Sequence, residues 1–221
     1  MAGMTYHGSV KVGGPPAVRE LAHLMITKVA VGPFDNDAYL LRCRASDTQL
    51  LIDAANDATT LITLVGGGGL DKVVTTHRHQ DHWQALADVV AATGATTLAG
   101  REDAAAIPVP TEVLVDDGDT VTFGEISLRA IHLVGHTEGS IALVYDDPKG
   151  HPHLFTGDCL FPGGVGNTFG DPAAFDRLID DVEHKLFDVL PDETWVYPGH
   201  GADTTLGDER PALAQWRERR W

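Results

Sequence analysis

The stretch "VVTTHRHQDHWQAL", residues 73–86, ends an apolar run in three histidines and an aspartate within six positions: His77, His79, Asp81 and His82. The apolar run reads as a strand. Beyond His82 the spacing is helical, with Trp83, Leu86, Val89 and Val90 on one stripe and Gly94 placed to stop it. Any fold that accepts this stretch must therefore place four good metal ligands at a strand-to-helix junction. At an extended strand end His77 and His79, one residue apart, point to the same side and can grip one cation. Asp81 and His82 fall where the chain turns, so they can aim at a second.

A mixed imidazole and carboxylate set suits zinc, iron or manganese, and does not suit calcium or magnesium, which prefer all-oxygen shells. Four ligands do not complete two sites, so further donors are expected at strand ends whose loops reach the same edge. Three stand out: His136 in "LVGHTEGS", Asp158 in "LFTGDCLF" and His200 in "VYPGHG". Each is next to a glycine, which lets backbone pass close to a buried ion.

Strands are expected at "LMITKVAV" (24–31), "AYLLRCR" (38–44), "QLLIDA" (49–54) and "KVVTTH" (72–77). A second strand-rich block, 112–157, contains "EISLRAIHL", "SIALVYD" and "HLFTGD", with "DDGD" at 116–119 as a turn. "TTLITLV" reads as a helix leaving through the glycines at 66–69, with no Lys-Ser/Thr pair to make a phosphate loop. After the glycine-rich loop "PGGVGNTFG" (162–170), Asp171 caps and Pro172 opens a helix. Its apolar stripe is Phe175, Leu178, Ile179, Val182, Leu186 and Val189, and Pro191 ends it. A short strand "TWVYPG" and a last helix from about 208 close the chain. Two strand blocks, each followed by helices, predict an α/β sandwich of four layers with the helices on the outer faces.

The chain has no linker long enough to divide it, so residues 1–221 are expected to form one domain. Against 16 Lys and Arg stand 32 Asp and Glu, a net charge of −16 that repels polyanions and argues against a nucleic-acid partner. No segment approaches the ~20 apolar residues of a membrane span, and "MAGMTYHGSVKVGGPP" lacks a signal-peptide core, so a cytoplasmic protein is expected. Two cysteines, Cys43 and Cys159, are too few for a disulfide framework and read as free thiols, Cys159 as a packed one.

In order, "HRHQDH", "GHTEGS", "TGD" and "PGHG" resemble the HxHxDH, His, Asp, His series of the metallo-β-lactamase fold superfamily. The resemblance implies an αββα sandwich of two mixed β-sheets. It also implies that His77, His79 and His136 hold one metal ion, that Asp81, His82 and His200 hold another, and that Asp158 bridges them. Asp81 and Asp158 would be the catalytic carboxylates, and a metal-bound hydroxide the nucleophile. Two divalent ions are expected, zinc first, with iron or manganese as alternatives.

Within that superfamily, "TGDCLFPGGVG" and "YPGHG" look most like the glyoxalase II (hydroxyacylglutathione hydrolase) branch. This implies a metal-dependent hydrolase of a small-molecule thioester, an S-(2-hydroxyacyl) thiol such as S-lactoylglutathione. A thiol of pKa about 8.5 leaves without a strong general acid. The branch's helical C-terminal domain, which supplies basic residues for glutathione, is expected to be missing from this chain. Asn167 also replaces a basic residue, Val134 a proline, and Trp83 and Gln84 small residues. Substrate contacts are expected from Asn167, Thr168 and Phe169, with Phe161 as a further wall. Alternatives on the same ligands are a persulfide dioxygenase with one iron, and a lactonase.

The other histidines, His7, His23, His132, His151, His153 and His184, are assigned to no metal. The "HPH" of 151–153 reads as a surface turn, and His184 as solvated opposite its helix's apolar stripe. Arg217, Arg219 and Arg220 read as a solvated face of the terminal helix. The oligomeric state is not set by the sequence.

Overall fold

The structure is a computed structural model that describes residues 6–220; the first five residues of "MAGMTYHGSVKVGGPP" lie outside them. One sheet runs in sequence order: β1 (Ala17–Glu20), β2 (Leu24–Val31), β3 (Asn36–Cys43), β4 (Gln49–Ile52), β5 (Lys72–Thr75), β6 (Thr96–Gly100) and β7 (Val113–Val115). Pairing is antiparallel as far as β4 and parallel from β4 to β7. Parallel neighbours need crossovers, and α1 (Ala58–Val65), α2 (Leu86–Thr93) and α3 (Arg101–Ala104) supply them.

The second sheet starts with β8 (Thr120–Phe123), β9 (Ile126–His132), β10 (Ile141–Tyr145) and β11 (His153–Gly157), all antiparallel. A small ribbon of β12 (Leu160–Phe161) and β13 (Gly164–Val165) comes next, then α4 (Pro172–Asp181). The chain returns as β14 (Trp195–Pro198), parallel to β11, and β15 (Thr204–Thr205), and closes with α5 (Leu206–Glu209) and α6 (Leu213–Arg219). These are two mixed sheets with flanking helices, the expected αββα sandwich.

Three apolar layers hold it together. Between the sheets lie Leu24, Leu41, Leu50 and Val74 from one side and Leu128, Leu143, Phe155 and Tyr197 from the other. Outside the first sheet, Leu40, Leu51 and Val73 meet Leu61 and Val65 of α1 and Leu86 and Val89 of α2. Outside the second, Val144, Leu154 and Val196 meet Phe175, Leu178 and Ile179 of α4 and Trp216 of α6. Strand β4 is buried on both faces, which is why "QLLI" shows no polar alternation. Among the described residues, no helix is long and apolar enough to cross a membrane.

Several elements differ from the sequence expectation. Strand β5 stops at Thr75, so His77 and His79 lie in the loop beyond it, and β4 stops at Ile52 because Asp53 turns to a φ of 58°. Residues 113–115 join β6 in the first sheet and do not open the second block. Asp171 caps α4 as expected, accepting from the N–H groups of Ala173 and Ala174. The chain then widens into a π turn over Val182–Phe187, which shifts the helical phase. Phe187 and Leu190 therefore face inward, while Val189, placed on the apolar stripe by simple periodicity, is 62% exposed.

The arginines of the terminal helix lie on a largely exposed face, as expected, and also form ion pairs. Arg217 pairs with Asp180 and Glu183, and Arg220 with Asp176, fastening α6 to α4. His184 is exposed, and both cysteines are free and buried, as expected.

His153 is a further correction: it is fully buried, because β11 lies in the interior of its sheet between β10 and β14. Its Nδ1 sits 2.9 Å from the Tyr197 hydroxyl. Burial, with the nearby His151 and Arg19, lowers its pKa to about 3. The unfolded chain therefore binds the extra proton between about pH 6.5 and about pH 3, and the stability present at neutral pH is lost as pH falls through that window. Denaturant titrations should show that His153→Gln removes up to about 1.4 kcal/mol per pH unit of this dependence. An unchanged slope would contradict the assignment.

Candidate metal centre

The site lies at the ends of β4, β5, β11 and β14, which the parallel pairings bring to one edge of the sandwich. The β9–β10 loop and the β2–β3 turn reach the same edge, bringing in His136 and Asn36. A 3-10 turn, Gln80–His82, lies just beyond β5 and aims Asp81 and His82.

All seven expected donors converge. His77, His79 and His136 form one trio and Asp81, His82 and His200 another; within each, one ligand atom per residue lies within 4.8 Å of the others. In the first, His77 Nε2 is 3.0 Å from His79 Nδ1 and 3.3 Å from His136 Nε2. In the second, the Asp81 carboxylate is 3.3 Å from His200 Nε2 and 3.6 Å from His82 Nε2. Asp158 reaches both, at 3.7 Å from His136, 3.3 Å from His82 and 3.5 Å from His200.

Outer hydrogen bonds fix the ring tautomers. His136 Nδ1 donates to the Asn167 carbonyl at 2.8 Å and His200 Nδ1 to the Phe34 carbonyl at 2.9 Å, which turns each Nε2 toward the centre. Asp53 serves two rings. It takes His82 Nδ1 directly at 2.8 Å, and it accepts the Thr76 hydroxyl, whose oxygen lies 3.1 Å from His77 Nδ1. The Asn36 amide donates to Asp81 at 2.9 Å. Buried Asp103 accepts from the Arg78 N–H and guanidinium, from the Thr137 hydroxyl and from the Gly139 N–H, and so ties the loop of His77 and His79 to that of His136. Gly199 is required by close approach, since a Cβ there would collide with Asp158 Oδ1 and His82.

This donor set fits metal ions. His77 Nε2 faces His79 Nδ1 and His136 Nε2 at 3.0 and 3.3 Å, so the three imidazoles can turn ring nitrogens toward one cation. His82 Nε2 and Asp158 Oδ1 are buried without a hydrogen-bond partner, as ligand atoms of an ion would be. His77, His79, His136 and Asp158 on one side, and Asp81, His82, His200 and Asp158 on the other, are consistent with a dinuclear metal site.

The two halves differ in proton affinity. Burial holds His77, His79 and His136 below the usual imidazole range. Burial also opposes charge on His82, yet Asp158 and Asp53 on either side hold it well above that range. At His200 burial is again outweighed, by Asp158 and Asp81, and the pKa rises to about 10. The His200 bond in turn keeps Asp81 well below the carboxylate range.

The residues expected to meet substrate lie beside the first trio. The Phe169 ring is 69% exposed, 5.6 Å from His79, on a backbone of φ 56°. Asn167 is exposed, and its side-chain oxygen accepts from the Phe169 N–H. The Thr168 hydroxyl turns inward to the Asp171 carbonyl. Phe161 lies half-buried with its ring 6.4 Å from His200, and Phe34 is 66% exposed. Sequence reasoning missed Asn36, Asp53 and Asp103. The signal for Asp53 is an aspartate closing an otherwise apolar strand; Asp103 gave none.

The family description Metallo-beta-lactamase superfamily matches residues 31–200. Hydroxyacylglutathione hydrolases of Fuscovulum blasticum and Gloeobacter violaceus are each 37% identical, over 81% and 80% of this chain. The alignments cover 67% of either relative, so the chain spans about two thirds of their length. ETHE1 from Myxococcus xanthus superposes with a TM-score of 0.76 at 27% identity, over 87% of this chain and 84% of that one. BLEG-1 B3 metallo-beta-lactamase gives 0.75 at 25%, over 85% and 97%. TTHA1623 in a di-iron-bound form gives 0.67 at 32%, over 83% and 96%.

An ion entering the second trio must displace protons from His200 and His82, whereas the first trio is already neutral. Second-site affinity should therefore rise at least about tenfold per unit between about pH 7 and about pH 9, while first-site affinity stays nearly flat. Competition with a chromogenic chelator at several pH values measures both, and equal slopes would contradict the assignment.

Proposed function

Because the chain belongs to the metallo-beta-lactamase superfamily and is a metal-binding hydrolase related to glyoxalase II, we propose that it hydrolyses an S-(2-hydroxyacyl) thiol such as S-lactoylglutathione. The observation that carries this reading is the place of Asp158, within 3.3–3.7 Å of histidines of both trios. One carboxylate can then hold two ions close enough to share a water. Such ions, when bound, lower the pKa of a water toward about 7 and polarise a carbonyl. Zinc is the ion assigned first; the di-iron-bound relative makes iron the second.

The chain's own residues do the rest. His77, His79 and His136, kept neutral by burial, present lone pairs at neutral pH. Asn36 and His200 orient Asp81, and Asp53 orients His82. Phe34, Phe161 and Phe169 rim the centre with apolar surface against which an acyl or thiol chain can lie. Asn167 offers a side-chain amide N–H at the same edge, and Thr168 shapes the loop that carries both it and Phe169. A thiolate leaving group needs no strong acid, so this arrangement is sufficient for thioester cleavage.

His77, His82 and Asp158 also form a two-histidine, one-carboxylate set, the ligand type of mono-iron oxygen enzymes. That favours a persulfide dioxygenase as the second reading. The test is metal analysis coupled to a screen of S-lactoyl thioesters of several thiols, a lactone, and a glutathione persulfide with oxygen monitoring. Thioester turnover should dominate; oxygen consumption with one bound iron would select the second reading, and faster lactone turnover a lactonase. Asp158→Ala should remain folded, lose the paired stoichiometry and lose at least about a hundredfold in kcat. Full activity in that variant would rule out the paired mechanism.

A further inference from the structure

Behind the second trio lies a buried charged cluster that contributes no metal ligand. Lys28, on β2 between the sheets, has no solvent exposure, and neither of its carboxylate partners, Asp37 and Asp203, exceeds 1%. Its Nζ lies 2.9 Å from Asp37 Oδ2 and 2.6 Å from Asp203 Oδ1. It also donates to the Gly201 carbonyl at 2.6 Å and the Gly8 carbonyl at 3.0 Å. Burying an ammonium costs several kcal/mol unless each N–H finds a partner, and lysine is almost never buried to this extent without a reason.

The partners point to that reason. Gly201 is the residue after His200, and Asp203 closes the same loop. Asp203 Oδ2 is held in turn by the Tyr6 hydroxyl and the Trp195 indole N–H, and the Asp203 N–H bonds the Gly8 carbonyl. On the other side, the Asp37 N–H donates to the Gly199 carbonyl, and Asn36 bridges to His200 and holds Asp81. Lys28 thus stands where the start of β3 and the His200 loop meet, ion-paired to Asp37 of the first and hydrogen-bonded to Gly201 and Asp203 of the second. The loops of the first trio are tied instead by Asp103, which Lys28 does not touch.

We propose that Lys28 is a positioning residue for the second metal trio, fixing the His200 loop through Gly201 and Asp203 and so setting the affinity of the second ion without touching it. The proposal rests on the two-ion reading of the centre and is independent of which bond is cleaved. Two variants separate it from a merely structural role: Lys28→Met, and the triple variant Lys28→Met, Asp37→Asn, Asp203→Asn, which removes the unpaired charges but leaves the Gly201 carbonyl without its donor.

The experiment is titration of zinc into the metal-free proteins against a competing chelator, with the Tm of each metal-free protein measured alongside. The wild type should bind two equivalents. Lys28→Met should keep the first affinity, weaken the second about 10- to 100-fold and lower Tm. The triple variant should recover Tm while the second affinity stays weak. An unchanged second affinity, equal weakening of both sites, or recovery of affinity together with Tm in the triple variant would overturn the proposal. If Lys28→Met does not fold, the triple variant decides alone. One equivalent in the wild type would overturn the two-ion reading and this proposal together, whereas two equivalents with no thioester turnover would leave the proposal standing and remove the substrate reading.

Discussion

Ring nitrogens of His77, His79 and His136 face one another across 3.0–3.3 Å, and the Asp158 carboxylate sits beside them. Gathering so many polar groups away from water is costly unless each has a partner, so the surrounding structure must fix their directions. It does so from outside the rings. Asp53, the Asn167 carbonyl and the Phe34 carbonyl each take a ring N–H, and Asn36 takes a carboxylate oxygen. Ligand direction is therefore a property of these outer partners as much as of the ligands themselves.

Those partners come together because of the topology. Parallel pairing of β4 with β5, and of β11 with β14, sends four strand ends to one edge, and helices on the outer faces make the parallel pairing possible. Asp53 can touch both Thr76 and His82 only because β4 and β5 are neighbours. The same adjacency that buries Leu51 and Val73 under α1 and α2 thus aims the metal ligands. Packing and chemistry share one cause, and a change that loosens the outer layer should be felt at the centre.

The convergence of His77, His79, Asp81, His82, His136, Asp158 and His200 is legible in the sequence because residue type and order agree, and each follows an apolar run. The layer architecture is legible for a similar reason: apolar runs in two blocks admit few arrangements. What stays hidden depends on distant pairing. Asp103 lies 36 residues from Gly139, and Lys28 lies 175 from Asp203, so neither has a local signature. His153 misleads because "HPH" looks like a turn, while its burial comes from β11 having neighbours on both sides. Val189 misleads because one π turn breaks helical phase without a marker in the residues.

The proposed hydrolysis requires two ions side by side, with Asp158 in reach of both. Anomalous diffraction at a metal absorption edge, on crystals of the metal-loaded protein, tests it most directly. Two peaks about 3.5 to 4 Å apart are expected, one ringed by His77, His79 and His136 and the other by Asp81, His82 and His200. A single peak, or two that leave Asp158 unligated, would contradict it.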